Sequence, residues 1–156
     1  LSRGETENIV SEAQQANILK ISLDYEIAGT KVIGPNTTIT ASFNKQNNLR
    51  EIIFNDFTVG ESVGNYPIIS PDSAVKQLAA GKGTLINATS PNLYGPVPKQ
   101  IKQVNLRAAY LAYYQPRDNN HLLQPVWVFE GASQVESGDA SLTYAVPAID
   151  ERFFKN

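Results

Sequence analysis

The residues best placed to do chemistry stand in "GESVG", Gly60 to Gly64, which matches the G-x-S-x-G nucleophile elbow and follows an expected strand. An elbow turns directly from strand into helix, but here the chain continues as "NYPIIS", held extended around Pro67, and a helix starts only near Pro71. A serine nucleophile also needs a base. The one histidine, His121, lies beside the turn "RDNNHLL", three residues after Asp118. The order Ser, Asp, His suits a triad, and a glycine-hinged loop accounts for the same residues without catalysis. No catalytic residue is assigned, and a Ser62/His121 serine hydrolase is kept only as a remote alternative.

Other chemistry is thinner. "AAGKGT" resembles part of a phosphate loop, yet its glycines close a helix, whereas a phosphate loop opens one so that amide N–H groups face the anion. One histidine and no cysteine cannot supply the usual transition-metal pairs. Glu136 with Asp139, or Asp150 with Glu151, could offer weak calcium ligands, but neither pair lies in an EF-hand loop and both read as solvated charges. Asn36 and Asn87 head N-x-[ST] sequons, which carry meaning only in a eukaryotic secretory pathway. No metal and no cofactor are expected.

The elements that would position these residues follow from periodicity. Residues 1–17 are polar with Ile9, Ala13 and Ala16 in helical spacing, which fits a tether or a short helix ahead of a single domain over 18–156. "LKISLDYEI" alternates Leu19, Ile21, Leu23 and Tyr25 against Lys20, Ser22, Asp24 and Glu26, the pattern of a strand with one wet face. "TTITASF" and "LREIIFNDFTV" flank the turn "NKQNN" as a hairpin. Ser70, Pro71 and Asp72 then supply an N-cap, a first-turn proline and an acid at the positive end of a helix dipole. Ala74, Val75, Leu78 and Ala79 form its apolar stripe, and Gly81 stops it.

"NATSPNLYGPVP" reads as a loop, "IKQVNLRAAYLAYYQ" as a long central strand with a bulge, and "LLQPVWVFEG" pairs with "SLTYAVPAI" across "ASQVESGDA". The expected fold is α+β: an antiparallel hairpin, one clear helix, then an antiparallel three-stranded meander. There is room for two similar β-rich halves, 18–90 and 91–156.

Tyr110, Tyr113, Tyr114, Trp127, Phe129 and Tyr144 could make a sugar platform. In a pleated strand, however, Trp127 and Phe129 share one face and Val126 and Val128 the other, so both faces are apolar and Trp127 reads as core.

Composition narrows the partner. The chain has 156 residues, with 13 Lys+Arg against 15 Asp+Glu and no basic cluster interleaved with aromatics, so nucleic acid is not an expected partner. Absence of cysteine fits a reducing cytosol and an exported bacterial protein equally, while a charged fraction of only 18% leans towards export. A start at Leu1 without any Met suggests an excised fragment.

"YPIISPDSAVKQLAAG", "IKQVNLRAAYLAYY", "LLQPVWVFEG" and "TYAVPAID" together resemble the YycH/YycI-type extracytoplasmic regulatory proteins and the wider PepSY-like group of bacterial domains. The resemblance covers about residues 66–149, and "PVW" at Pro125 to Trp127 is its most specific element. It implies a non-catalytic domain outside the cytoplasm, anchored through a segment ahead of Leu1, that regulates by touching a protein partner at or outside the membrane, such as a membrane protein. It carries over no site residues. The loop "ASQVESGDAS", where the family has a tight hairpin, departs from that pattern. A module for cell-wall glycan or peptide, using Tyr94, Tyr113 and Tyr114, is the alternative.

Overall fold

The computed structural model describes residues 16–35, 37–54, 58–89, 103–116, 122–135 and 138–153. The strands are β1 (Ile18–Ile27), β2 (Thr30–Ile33), β3 (Thr38–Asn44), β4 (Leu49–Ile53), β5 (Thr84–Thr89), β6 (Asn105–Tyr114), β7 (Gln124–Val135) and β8 (Gly138–Pro147). Among the described residues, one helix, α1 (Pro71–Ala79), lies between β4 and β5, and a 3-10 turn covers Glu151–Phe153. All eight strands belong to one sheet in the order β4-β3-β1-β2-β6-β7-β8-β5.

This overturns the expected α+β arrangement of a separate hairpin and meander. The molecule is mostly strand, and its sheet is mixed, because β2 runs parallel to β6 with Val32 opposite Tyr113 and Ile33 opposite Tyr114. The Gln115 N–H then donates to the Ile33 carbonyl at 2.9 Å. That short parallel seam welds the N-terminal strands to the C-terminal ones. Strands from before and after residue 90 also meet at the far edge, where β5 hydrogen-bonds along β8.

Several boundaries also move. The "IAGT" turn between β1 and β2 places Ala28 (φ 49°) and Gly29 (φ 76°) in the left-handed region, as a two-residue hairpin loop with right-handed strand twist requires. The "NAT" assigned to a loop is the end of β5. The "ASQVESGDA" loop is mostly strand: β7 and β8 stay paired out to Val135 opposite Gly138, so this hairpin is tight after all. Residues 1–15 of the tether or short helix lie outside the described residues.

The helix forms as its caps dictate. Ser70 Oγ accepts from the Ser73 N–H at 3.3 Å, Pro71 occupies the first turn, and Gly81 (φ 78°) closes the C-terminus. Fully buried Ala74 lets α1 approach β7 and β8 closely, with Phe129 and Val146 beneath it and Leu78, Trp127 and Tyr144 at the margin. Ala112, Val126, Val128 and Ala145 form a second apolar cluster with Ile33, Ile86, Tyr110 and Tyr114. The two clusters occupy opposite faces of the sheet, because successive strand residues alternate.

Trp127 is therefore a packing residue. Its indole N–H donates to the Ile69 carbonyl at 3.0 Å, while the Ile69 N–H donates to the Ala148 carbonyl at 2.8 Å. Together these bonds pin the strand-like entry to α1 against the sheet. Trp127→Phe keeps most of the ring's packing but orphans a carbonyl, so thermal or urea unfolding is expected to show a loss of ~1–2 kcal/mol.

Candidate functional site

On the α1 face, residues 58–66, which precede α1, wall a cleft together with residues of β6 and the start of β7. The cleft encloses about 1060 Å³ and is walled by residues 58–66 on one side and by Leu111, Tyr113 and Pro125 on the sheet. Ile27 from the end of β1 and Ile149 and Phe153 from the C-terminal segment complete the wall. Tyr66 and Phe153 meet edge to face with ring centroids 6.0 Å apart, fixing one rim by an aromatic contact.

Strand alternation explains why these residues converge. Tyr113 lies opposite Pro125, and Leu111 opposite Trp127, so all four share the α1 face. Tyr114 must then point the other way, and it packs in the cluster with Ala112, Val126 and Val128. The three tyrosines proposed for ligand contact thus separate: Tyr113 lines the cleft, Tyr114 serves the opposite core, and Tyr94 lies outside the described residues. The adjacency of residues 113 and 114 in one strand already required this split.

The cleft combines apolar walls with several polar side chains, Thr58, Glu61, Ser62, Asn65, Gln115 and Gln124 among them. The most informative is Gln115, whose Oε1 is buried without a hydrogen-bond partner. A buried acceptor left unpaired costs ~1–3 kcal/mol, and an N–H or O–H that met it once the side chain turned towards the cleft would recover that cost. The same Gln115 closes the β2–β6 seam through its backbone, so a rigid part of the sheet holds it in place. Sequence reasoning had no signal for it, because an isolated glutamine after a strand is unremarkable until its burial is known.

Ser62 does line the cleft, and among the described residues no base is hydrogen-bonded to it. Its Oγ donates to the Gly64 carbonyl at 3.5 Å, it is exposed, and its strand-free loop reaches α1 only at Pro71. His121 and Asp118 lie outside the described residues.

Of the acidic candidates, Asp150 and Glu151 are engaged with cations, whereas Glu136 and the Asp139 side chain lie outside what is described. Arg152 holds Asp150 through Nε to Oδ1 at 3.0 Å and Nη2 to Oδ2 at 2.9 Å, and these hydrogen bonds draw the Asp150 carboxyl below its ordinary range. Glu151 pairs with Lys82 at 2.6 Å. Among the described residues, no three histidine, cysteine or acidic side chains gather where a metal could bind. On the opposite face, burial and a hydrogen bond to Glu130 at 2.8 Å push the Tyr110 phenol upward, so it stays protonated. Tyr110 lies in the packed core of that face and is remote in role from the cleft.

Among the described residues, no helix is long and apolar enough to cross a membrane. Comparison with protein-family models, curated proteins and solved structures finds no match to this chain.

Proposed function

We propose that this chain is a non-catalytic protein-interaction domain of a membrane-anchored bacterial protein, working outside the cytoplasm, and that its cleft receives an extended apolar segment of a partner. The observation that carries this reading is the buried, unpaired Oε1 of Gln115, a residue that lines a cleft with extensive apolar walls. A peptide backbone brings an N–H donor flanked by side chains, which suits a cleft lined by Gln115 together with the apolar surfaces of Tyr113, Leu111, Pro125 and Phe153. Support for the setting is the resemblance of residues 66–149 to YycH/YycI-type regulators, which act by touching other proteins. The tight β7–β8 hairpin removes one point on which the chain differed from that pattern.

Thermal unfolding against short extended apolar peptides, cell-wall muropeptides and cell-wall sugars tests the reading. A peptide at a hundredfold excess over its Kd should add ~2.7 kcal/mol of stability. Tyr113→Ala and Gln115→Leu should each lose that shift, while Ser62→Ala keeps it. A shift with sugars alone would move the assignment to a glycan module, and a flat response across the panel would remove the cleft as the binding site.

A further inference from the structure

The wall of the cleft formed by residues 58–66 has main chain to spare. From Thr58 to Tyr66 the chain runs without turn, bend or strand pairing, and among the described residues none of its N–H or C=O groups bonds to another main-chain group. An extended run of unpaired donors and acceptors is a template on which a second strand can form. Its composition explains why the fold leaves it so. Gly60 and Gly64 have little strand preference, and Pro67 has no N–H to give to a ladder.

Strand pairing begins beside this wall and stops. Ile68 lies opposite Ile149 in an isolated antiparallel bridge, and the Ile69 N–H donates to the Ala148 carbonyl at 2.8 Å. Continued in that register, the residues after Ile149 would run along Tyr66 and on towards Thr58. They turn away instead, into the 3-10 turn Glu151–Phe153. Ile149 and Phe153 line the cleft together with residues 58–66, so the strand position left open along that wall adjoins the cleft.

Charge narrows what can take the position. Glu61 is the one charged side chain among the described lining residues, it is exposed, and no described cation pairs with it. Opposite charges on neighbouring strands attract and help to fix register, whereas like charges are penalised.

We infer that residues 58–66 take an incoming peptide as an added β-strand, recognised chiefly through its main chain and at one position by a basic side chain set against Glu61. This rests on the reading that the cleft receives a partner peptide, and it names the mode and the chemistry of that partner. Recognition of this kind tolerates changes of side chain, because each peptide bond between non-proline residues offers the same donor and acceptor.

Hydrogen exchange of the whole chain, with and without an acetylated, amidated peptide of alternating Val and Thr around one central Lys, tests it beside the thermal shift. The amides of residues 58–66 should exchange fast in the free chain and at least tenfold more slowly with peptide bound. N-methylating alternate amides of the peptide should weaken binding at least tenfold more in one set than in the other, because successive N–H groups of a strand point to opposite sides. Replacing the central Lys by Glu should weaken binding roughly fivefold, and Glu61→Lys should reverse that preference. A thermal shift without protection of residues 58–66, or equal affinity of the two methylated peptides, overturns the added strand and leaves the cleft as a peptide site. So does a shift with other apolar peptides but none with this one. A preference that Glu61→Lys does not reverse overturns the assignment of the basic side chain. No shift with any peptide removes the cleft reading and this inference together.

Discussion

Gly34→Ala is expected to uncouple the N-terminal strands from the rest of the sheet. Gly34 has φ 139°, a conformation that side chains rarely adopt, and a Cβ there would overlap the Gln115 carbonyl oxygen. It follows directly on β2, whose two register pairs with β6 and one further bond from Gln115 form the parallel seam. Backbone strain and displacement of the Gln115 main chain together should cost ~3 kcal/mol or more. In a chain of this length that lowers Tm by roughly 6–12 °C.

A second readout identifies the cause. Trp127 reports only the α1 side of the seam, whereas far-UV circular dichroism reports every strand. In the wild type the two urea transitions should coincide, and in Gly34→Ala the dichroism transition should begin earlier. Coincident, unshifted transitions would show that the seam does not couple the halves. Because Gln115 also faces the cleft, the variant should weaken peptide binding without touching a lining side chain.

The other large effect lies under the helix. Phe129 is fully buried between Ala74 of α1 and Val146 of β8. Phe129→Ala removes a ring from a site whose neighbours are a short helix and two strands held by full ladders, so little can collapse into the space. A loss of ~3–5 kcal/mol is expected, read as a fall of about 10 °C in Tm or a lower urea midpoint with an unchanged slope. Phe129→Leu should lie between. A loss below ~1 kcal/mol would mean that α1 contributes little to the core.

Local signals in the sequence were readable where chemistry is local. Ser70, Pro71, Asp72 and Gly81 mark the helix because caps act within one turn, and the alternation of Val126 to Phe129 marks a strand with two buried faces because side-chain direction has a period of two. Pairing was not readable. "TKVI" is too short to show a period, and its parallel partner lies on the far side of the helix in the sequence, so the mixed sheet depends on a contact that no local pattern encodes. "TLINAT" was hidden by the prolines that follow it, and β5 finds its partner only in β8. The cleft was half legible. Its glycine-rich wall at Gly60 to Gly64 drew notice as a match to the nucleophile elbow, Tyr113 for its ring, and Gln115 for nothing, since an orphaned acceptor exists only once the fold has buried it.

The edge position of β5 has a consequence in time. β5 follows α1 directly, yet among the described residues its one neighbour in the sheet is β8, the last strand described. β6, β7 and β8 can zip successively through adjacent hairpin contacts, whereas β5 must wait, unpaired, until that final strand has settled. Closing so distant a contact is slow relative to hairpin growth. Refolding should therefore show amide protection on β6 and β7 first and on Thr84–Thr89 late, with the strand nearest the helix in sequence among the last to find its place.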